Sequence, residues 1–265
     1  MNLFTQLVVG TGVALALARL TPPDPMRALP HSKHPAPQAT YPPVVVLELF
    51  TSQGCSSCPS ADRLLTETLA DAAKSRKNII GLSFHVDYWD RLGWKDPFSS
   101  HAFTQRQYQY SEHFNQHGVY TPQEVVNGGK EFVGSNRDKQ ANALKTALTT
   151  PATAGVRLTA GMPNGGRLAV TYQLEGDLAN AVINVALVSK TTETSVQRGE
   201  NAGRKLTHDN VVRAFQTVPA TARGTVSLTV PADFDLRNGA VVAYVQAQQT
   251  LAVRGAAQVN LQTSL

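Results

Sequence analysis

Apolar positions along the chain follow two regimes, and the change between them comes near Pro151. Upstream, short unbroken apolar runs alternate with stretches in which apolar residues recur every three or four positions. Val44 to Phe50 and Ile79 to His85 are runs of the first kind, rich in β-branched residues, and predict buried strands. Ala61, Leu65, Thr68, Leu69 and Ala72 predict an amphipathic helix after the first strand. Phe103, Tyr110 and Phe114 share one face of a second helix, from Ser100 to Phe114. Glu124 to Val133 reads as a hairpin around Asn127-Gly128-Gly129. Ser135 with Asp138 marks a capping box for a last helix, whose Ala141, Leu144, Ala147 and Leu148 face inward. The order over 44–150 is β-α-β-α-β-β-α, an α/β domain with helices on both faces of one sheet.

Downstream, helical periodicity is absent. Arg167 to Leu174, Ala181 to Val188, Val211 to Val218, Thr225 to Val230 and Ala240 to Gln248 are short strands with turn signals between them. Their spacing predicts an all-β sandwich of immunoglobulin-like type over 151–265. Arg198 to Arg213 departs from plain strand, being polar and glycine-containing. It reads as a polar hairpin, with a lid over a neighbouring site as the alternative, and His208 and Arg213 are its candidate functional side chains.

Ahead of both domains, Leu7 to Ala18 is an apolar core too short for a comfortable membrane span and suited to a signal peptide, with Ala16-Leu17-Ala18 as a cleavage site. No Lys or Arg precedes Leu7, so an N-terminal anchor is the alternative for residues 1–20. Residues 21–43 carry eight prolines and read as a solvated linker in which His31 and His34 are incidental. A periplasmic or secreted protein is expected, without a stable membrane span after signal cleavage.

Composition narrows the function classes. With 24 basic and 19 acidic residues the net charge is +5, but the basic residues are scattered, which argues against a nucleic-acid surface. No Walker loop, dinucleotide-binding glycine fingerprint, His-Glu-x-x-His or Gly-x-Ser-x-Gly occurs. The chemistry concentrates in Cys55-Ser56-Ser57-Cys58-Pro59, which holds the chain's two cysteines at the junction of the first strand and first helix. Unpaired N–H groups and the macrodipole at a helix N-terminus favour a thiolate, the nucleophile of disulfide exchange. A structural disulfide competes, although so small a ring stabilises weakly. A zinc site is the third reading, short of ligands because no second Cys-x-x-Cys is present. No cofactor is expected beyond the disulfide itself.

The segment His85 to Phe98 leaves the second strand beside the cysteines and holds both tryptophans and three further aspartates. Tyr88 and Trp89 are candidate anchors of a substrate groove, or members of a packed loop over the sheet edge. His85 is a satisfied buried histidine, a tuner of the thiolate, or, with Cys55, Cys58 and Asp87, part of a soft-metal site for an ion such as copper. His113 and His117, four apart on the following helix, could share a metal on one face, but with no third partner they read as surface residues.

The element order and the Cys-x-x-Cys after the first strand resemble the thioredoxin-like fold. That resemblance implies a cis bond between Thr121 and Pro122, with the loop's backbone pairing an extended substrate segment. It also implies a buried aspartate six residues before the first cysteine; Leu49 stands there instead, and Glu48 points to the opposite face. The strings LELFTSQGCSSCPSAD, HVDYWDRLGWKDPF, FTQRQ and YTPQEVVNG are similar to the DUF1223 family of exported bacterial proteins. That likeness implies a thioredoxin-like fold and no defined activity. The expected function is thiol–disulfide exchange with protein or peptide thiols and a redox partner, Cys55 attacking and Cys58 resolving. The alternatives are a soft-metal chaperone using Cys55, Cys58 and His85, and a non-catalytic binding protein with a structural disulfide.

Overall fold

Val45–Thr51 forms β1, buried along its whole length, as an unbroken apolar run predicts for a strand covered on both faces. It runs parallel to β2 (Ile79–His85), with Val45 opposite Ile79 and Thr51 opposite His85. On its other side lies antiparallel β3 (Gln123–Val126), followed by β4 (Lys130–Val133). The β3–β4 turn uses Asn127 and Gly128 at φ 47° and 67°, the left-handed backbone that tight hairpins demand. Asn127 also ties this hairpin to β1, accepting from Val46 N and donating to Val44 O. The computed structural model describes residues 40–261. The expected signal peptide or anchor and the linker up to residue 39, with His31 and His34, lie outside the described residues.

Alternation along β1 sorts the helices. Val45, Leu47 and Leu49 meet α1 (Cys58–Ser75) and α3 (Arg137–Ala147) through Ala61, Leu65 and Ala143. Val46 and Phe50 face the other way, into a core with Phe103 and Tyr110 of α2 (His101–His113). Three expectations are corrected at the helix ends. Asn136, not Ser135, caps α3 by accepting from Lys139 N. Ala141 is exposed while Gln140 and Ala143 are buried, because the face packed on the β1 core runs through 140, 143, 144 and 147. Helix α2 ends at His113, so His117 lies beyond it and the two share no helical face.

After residue 150 come β5 (Ala154–Ala160), β6 (Arg167–Gly176), β7 (Ala181–Ser195), β8 (Lys205–Pro219), β9 (Arg223–Thr229), β10 (Gly239–Ala247) and β11 (Val253–Asn260). They do form two layers, but only β5-β6-β9 make a sheet of their own. The other four extend the first sheet, in the order β11-β10-β7-β8-β2-β1-β3-β4. The junction is a single bridge, Ser83 to Val211, reinforced by Ser83 Oγ donating to Asp209 O and Asn210 Nδ2 donating to Gly81 O. Ile183, Val185 and Leu187 of β7 and Val241, Ala243 and Val245 of β10 pack on the small sheet. Ala186, Val188, Val242 and Tyr244 turn instead to the core shared with α2. Strands β7 and β8 run well past the expected limits, pairing as far as Ser195 with Lys205, and this arm carries the 196–204 turn. Among the described residues no helix is long and apolar enough to cross a membrane.

Candidate functional site

Cys55 and Cys58 form a disulfide with Cα atoms 5.4 Å apart. Strand β1 stops at Thr51, a polar turn delivers Cys55, and Cys58 opens α1 with Pro59 in its first turn, where a missing N–H costs nothing. The Ser57 hydroxyl lies 3.3 Å from Cys55 Sγ, placing a donor beside the sulfur that precedes the helix. Both cysteines are fully buried, whereas Ser56 and Ser57 between them are exposed.

The burial comes from far along the chain. Asn201, in the turn of the β7–β8 arm, donates from Nδ2 to the carbonyls of Gln53 and Cys55, each at 2.9 Å. Its neighbour Glu200 accepts from Ser56 N at 2.9 Å, setting a carboxylate against the N–H groups ahead of α1. Burial opposes that carboxylate's charge only weakly, and the Ser56 hydrogen bonds hold Glu200 below the usual carboxylate range. Gln53 is locked as well: its Nε2 donates to Thr194 Oγ1, its Oε1 accepts from Trp94 Nε1, and its N–H donates to Asp96 Oδ2. The polar segment after Arg198 is therefore a hairpin whose turn bonds the backbone on either side of Cys55.

A second wall is built from the loop after β2. The Thr121–Pro122 bond is cis, and Trp89 Nε1 donates to Thr121 Oγ1 at 2.8 Å. Trp89 Cβ sits 3.2 Å from where a side chain on Gly54 would begin, so the indole stem bridges the cysteine turn to the proline loop. Pro122 Cβ, Ala61 Cβ and Leu49 Cδ1 crowd the same point above Gly134, so the proline ring and the first turn of α1 both border that glycine. Tyr88 lies one step outward, its hydroxyl donating to Gln107 Oε1, and burial pushes its pKa up to about 12.

Beneath the disulfide lies a buried polar chain. Thr51 Oγ1 donates to Asp62 Oδ1 at 2.9 Å, and Asp62 Oδ2 faces His208 Nδ1 at 3.4 Å. The His208 ring packs edge-on to His85, centroids 4.6 Å apart, and His85 Nδ1 meets Asp96 Oδ2 at 2.7 Å. Burial works against the charge on Asp96, but His85 and the N–H groups of Gln53 and Phe98 outweigh it and hold the carboxyl below its ordinary value. Burial likewise opposes a charged His208, yet Asp62, with Asp96 and Asp209, holds its pKa above the ordinary histidine value.

The remaining sequence candidates sit elsewhere. Glu48 points away from α1 and forms a buried two-pronged pair with Arg106, joined by Tyr110, Tyr244 and Gln246. Asp87 accepts from Thr104 Oγ1 near the start of α2. Arg213 grips Asp233 with two bonds of 2.8 and 2.7 Å and lies over the rings of Phe98 and Phe234. Asn201, Glu200, Gln53 and Thr194 carried no signal in the sequence, because their roles exist only when the distant arm folds back. Asp62 did carry one: it stands a helical turn after Cys58 in the first-turn face of α1. Among the described residues no cluster of three or more His, Cys, Asp or Glu side chains has the arrangement of a metal site.

A family model described as "Protein of unknown function (DUF1223)" matches residues 46–246. No curated protein matches the chain. Among solved structures, the chain is similar to a protein from Agrobacterium tumefaciens at 27% identity and TM-score 0.60, covering 86% of this chain and 98% of that one. A domain of the outer membrane lipoprotein Omp28 from Porphyromonas gingivalis matches at 18% identity and TM-score 0.27, over 42% of this chain and 89% of its own. A DUF3823 family protein from Bacteroides ovatus matches at 14% identity and TM-score 0.27, over 42% and 56%.

Proposed function

The chain belongs to the DUF1223 family, and we propose that it is an exported thioredoxin-like protein that exchanges disulfides through Cys55 and Cys58. The carrying observation is the convergence near one helix start: a Cys-x-x-Cys disulfide at the N-terminus of α1, with the cis Thr121–Pro122 loop and that helix's first turn both bordering Gly134. The order β2-β1-β3-β4, with β1 and β2 parallel and helices on both faces, supports the thioredoxin-like reading of the first half. The partners are protein or peptide thiols in an oxidising compartment.

In this reading a substrate thiolate attacks Cys55 Sγ, and the electron pair of the broken bond leaves on Cys58. Ser57 and the positive end of the α1 macrodipole stabilise negative charge on Cys55 when it departs as a thiolate in the reverse direction. The cis-proline loop offers its backbone to the substrate strand, and Trp89 braces it. Because both sulfurs are fully buried, attack requires the 196–204 turn to lift away from Cys55 and Ser56.

The same burial favours a second reading, a permanently closed disulfide in a binding protein. One measurement separates the two: equilibrate the purified protein in graded thiol buffers, trap free thiols and determine the reduction potential. A value above roughly −270 mV supports exchange, whereas one below about −300 mV, or no reaction, leaves a structural staple.

A further inference from the structure

The polar chain beneath the disulfide is poorly satisfied for its depth. Asp62 Oδ2, His85 Nε2 and both ring nitrogens of His208 are buried without a hydrogen-bond partner. Asp62 Oδ2 and His208 Nδ1 face each other at 3.4 Å as an ion pair without hydrogen-bond geometry, while His208 Nε2 and His85 Nε2 have no hydrogen-bond partner at all, and buried groups so weakly satisfied ask for a function. Their placement supplies one. The chain begins at Asp62, one helical turn after Cys58 on the same buried face of α1, where residues four apart are neighbours. It ends at Asp96, whose Oδ2 accepts both from His85 and from the N–H of Gln53, two residues before Cys55. Both ends are thus anchored to the turn and helix that hold the disulfide.

We propose that the Asp62, His208, His85 and Asp96 chain is a proton store for the disulfide, with His208 taking up a proton when the cysteines are reduced and returning it when they reoxidise. The inference rests on the thiol–disulfide exchange reading above. A substrate dithiol loses two electrons and two protons as it becomes a disulfide. The Cys55–Cys58 bond accepts the electrons; one proton stays on a cysteine thiol and the other goes to His208, whose imidazolium then balances the charge of the remaining thiolate. In the reverse direction the thiolate attacks a substrate disulfide and the imidazolium gives its proton to the departing substrate thiolate; the other cysteine then resolves the mixed disulfide, its thiol proton going to the second substrate sulfur as the Cys55–Cys58 bond re-forms.

His208 suits this role because the groups facing it are few and mostly anionic. Asp62 approaches from α1, Asp96 from the loop after β2 and Asp209 from its own strand, while His85 comes from β2 and the uncharged Thr192 lies opposite on β7. Those carboxylates already hold the His208 pKa above the ordinary value in the oxidised form, after burial has worked against it. A thiolate formed one helical turn from Asp62 adds negative charge on the same face of α1 and raises it further. By linkage, any rise in the His208 pKa on reduction must equal the gain in reducibility that protonating His208 brings.

The experiment uses the whole protein with dithiothreitol as probe. Ring-proton NMR titration of His208 is carried out in the oxidised and reduced forms, and the exchange equilibrium is measured against pH for wild type, His208→Gln and Asp62→Asn. The expected result is a higher His208 pKa in the reduced form. Between the two pKa values wild type should bind one more proton on reduction than His208→Gln, a steeper dependence by about tenfold per pH unit. Asp62→Asn should move that window to lower pH. Equal His208 pKa values in the two forms, or superimposable profiles for wild type and His208→Gln, overturn the proposal while leaving exchange standing. A wild-type pair that does not exchange overturns both readings at once. Should His208→Gln fail to fold, the wild-type titration and Asp62→Asn still decide the matter.

Discussion

Asn201 Nδ2 donates to Cys55 O at 2.9 Å across 146 positions of sequence. One side chain of the β7–β8 arm thereby holds the backbone of the cysteine that would be attacked first. In the proposed exchange the second half of the chain would gate the cysteines of the first, and the long arm beyond Val188 and before Val211 reaches that point.

Asn201→Ala should loosen that gate. The substitution strands the Gln53 carbonyl in the closed form, Cys55 O keeping its bond from Cys58 N, whereas water satisfies Gln53 O when the turn lifts. An unpaired buried carbonyl costs about 1–3 kcal/mol, so opening should become roughly tenfold more frequent. The rate at which excess dithiothreitol reduces the disulfide should rise by the same factor. An unchanged rate in a folded variant would mean that the turn does not limit access.

Trp89→Phe keeps the aromatic bulk but removes the donor to Thr121 Oγ1. A loosened cis-proline loop should bind an extended segment less well, with a loss of about 1 kcal/mol and hence several-fold in kcat/KM. That loss should appear with a peptide disulfide and not with a small-molecule one. Equal losses for both substrates would assign Trp89 to the cysteine turn instead.

The pair between Glu48 and Arg106 is a stability element. Both side chains are buried, and the guanidinium also lies over Phe84, Phe215, Tyr110 and Tyr244. Arg106→Met leaves an uncompensated buried carboxylate, at a cost of about 3–5 kcal/mol, while the double change Glu48→Leu with Arg106→Met should recover most of it. Urea unfolding of the two variants tests this. A double variant as weak as the single one would show that the aromatic cage, not the charge balance, carries the stability.

Much of the first half was legible because its signals are local. The apolar run at β1, the Cys-x-x-Cys before Pro59 and the Asn127-Gly128 turn each need only neighbouring residues to declare themselves. The helix ends were less legible, since Ser135 and Asn136 are both good caps and only the backbone at Asn136 takes the capping conformation. Strands β5 and β11 escaped notice, being half-buried edge strands whose alternation is diluted by small residues such as Gly155, Gly255 and Ala256. The fusion of two sheets through Ser83 and Val211 had no local signal at all. The same holds for the site: Cys55, Cys58 and Pro122 announce themselves, but the cover by Asn201 and the meeting of His85 with His208 arise only from tertiary folding.

Glu124 should make stability depend on pH in a direction unusual for a carboxylate. It is buried on β3 opposite Leu49, and burial pushes its pKa from 4.5 up to about 7, with Gln140 donating to both oxygens and working the other way. The folded state therefore binds this proton more tightly than the unfolded chain. The associated stability is complete below about 4.5 and is lost as pH rises through about 7. Glu124→Gln removes that loss, so it should be more stable than wild type at pH 8, on the order of 1–3 kcal/mol, with the difference vanishing or reversing at pH 4. Urea unfolding of both proteins at pH 4, 6 and 8 checks the sign as well as the size. A difference that stays constant with pH would mean that Glu124 does not titrate in this window and that Gln140 keeps it ionised.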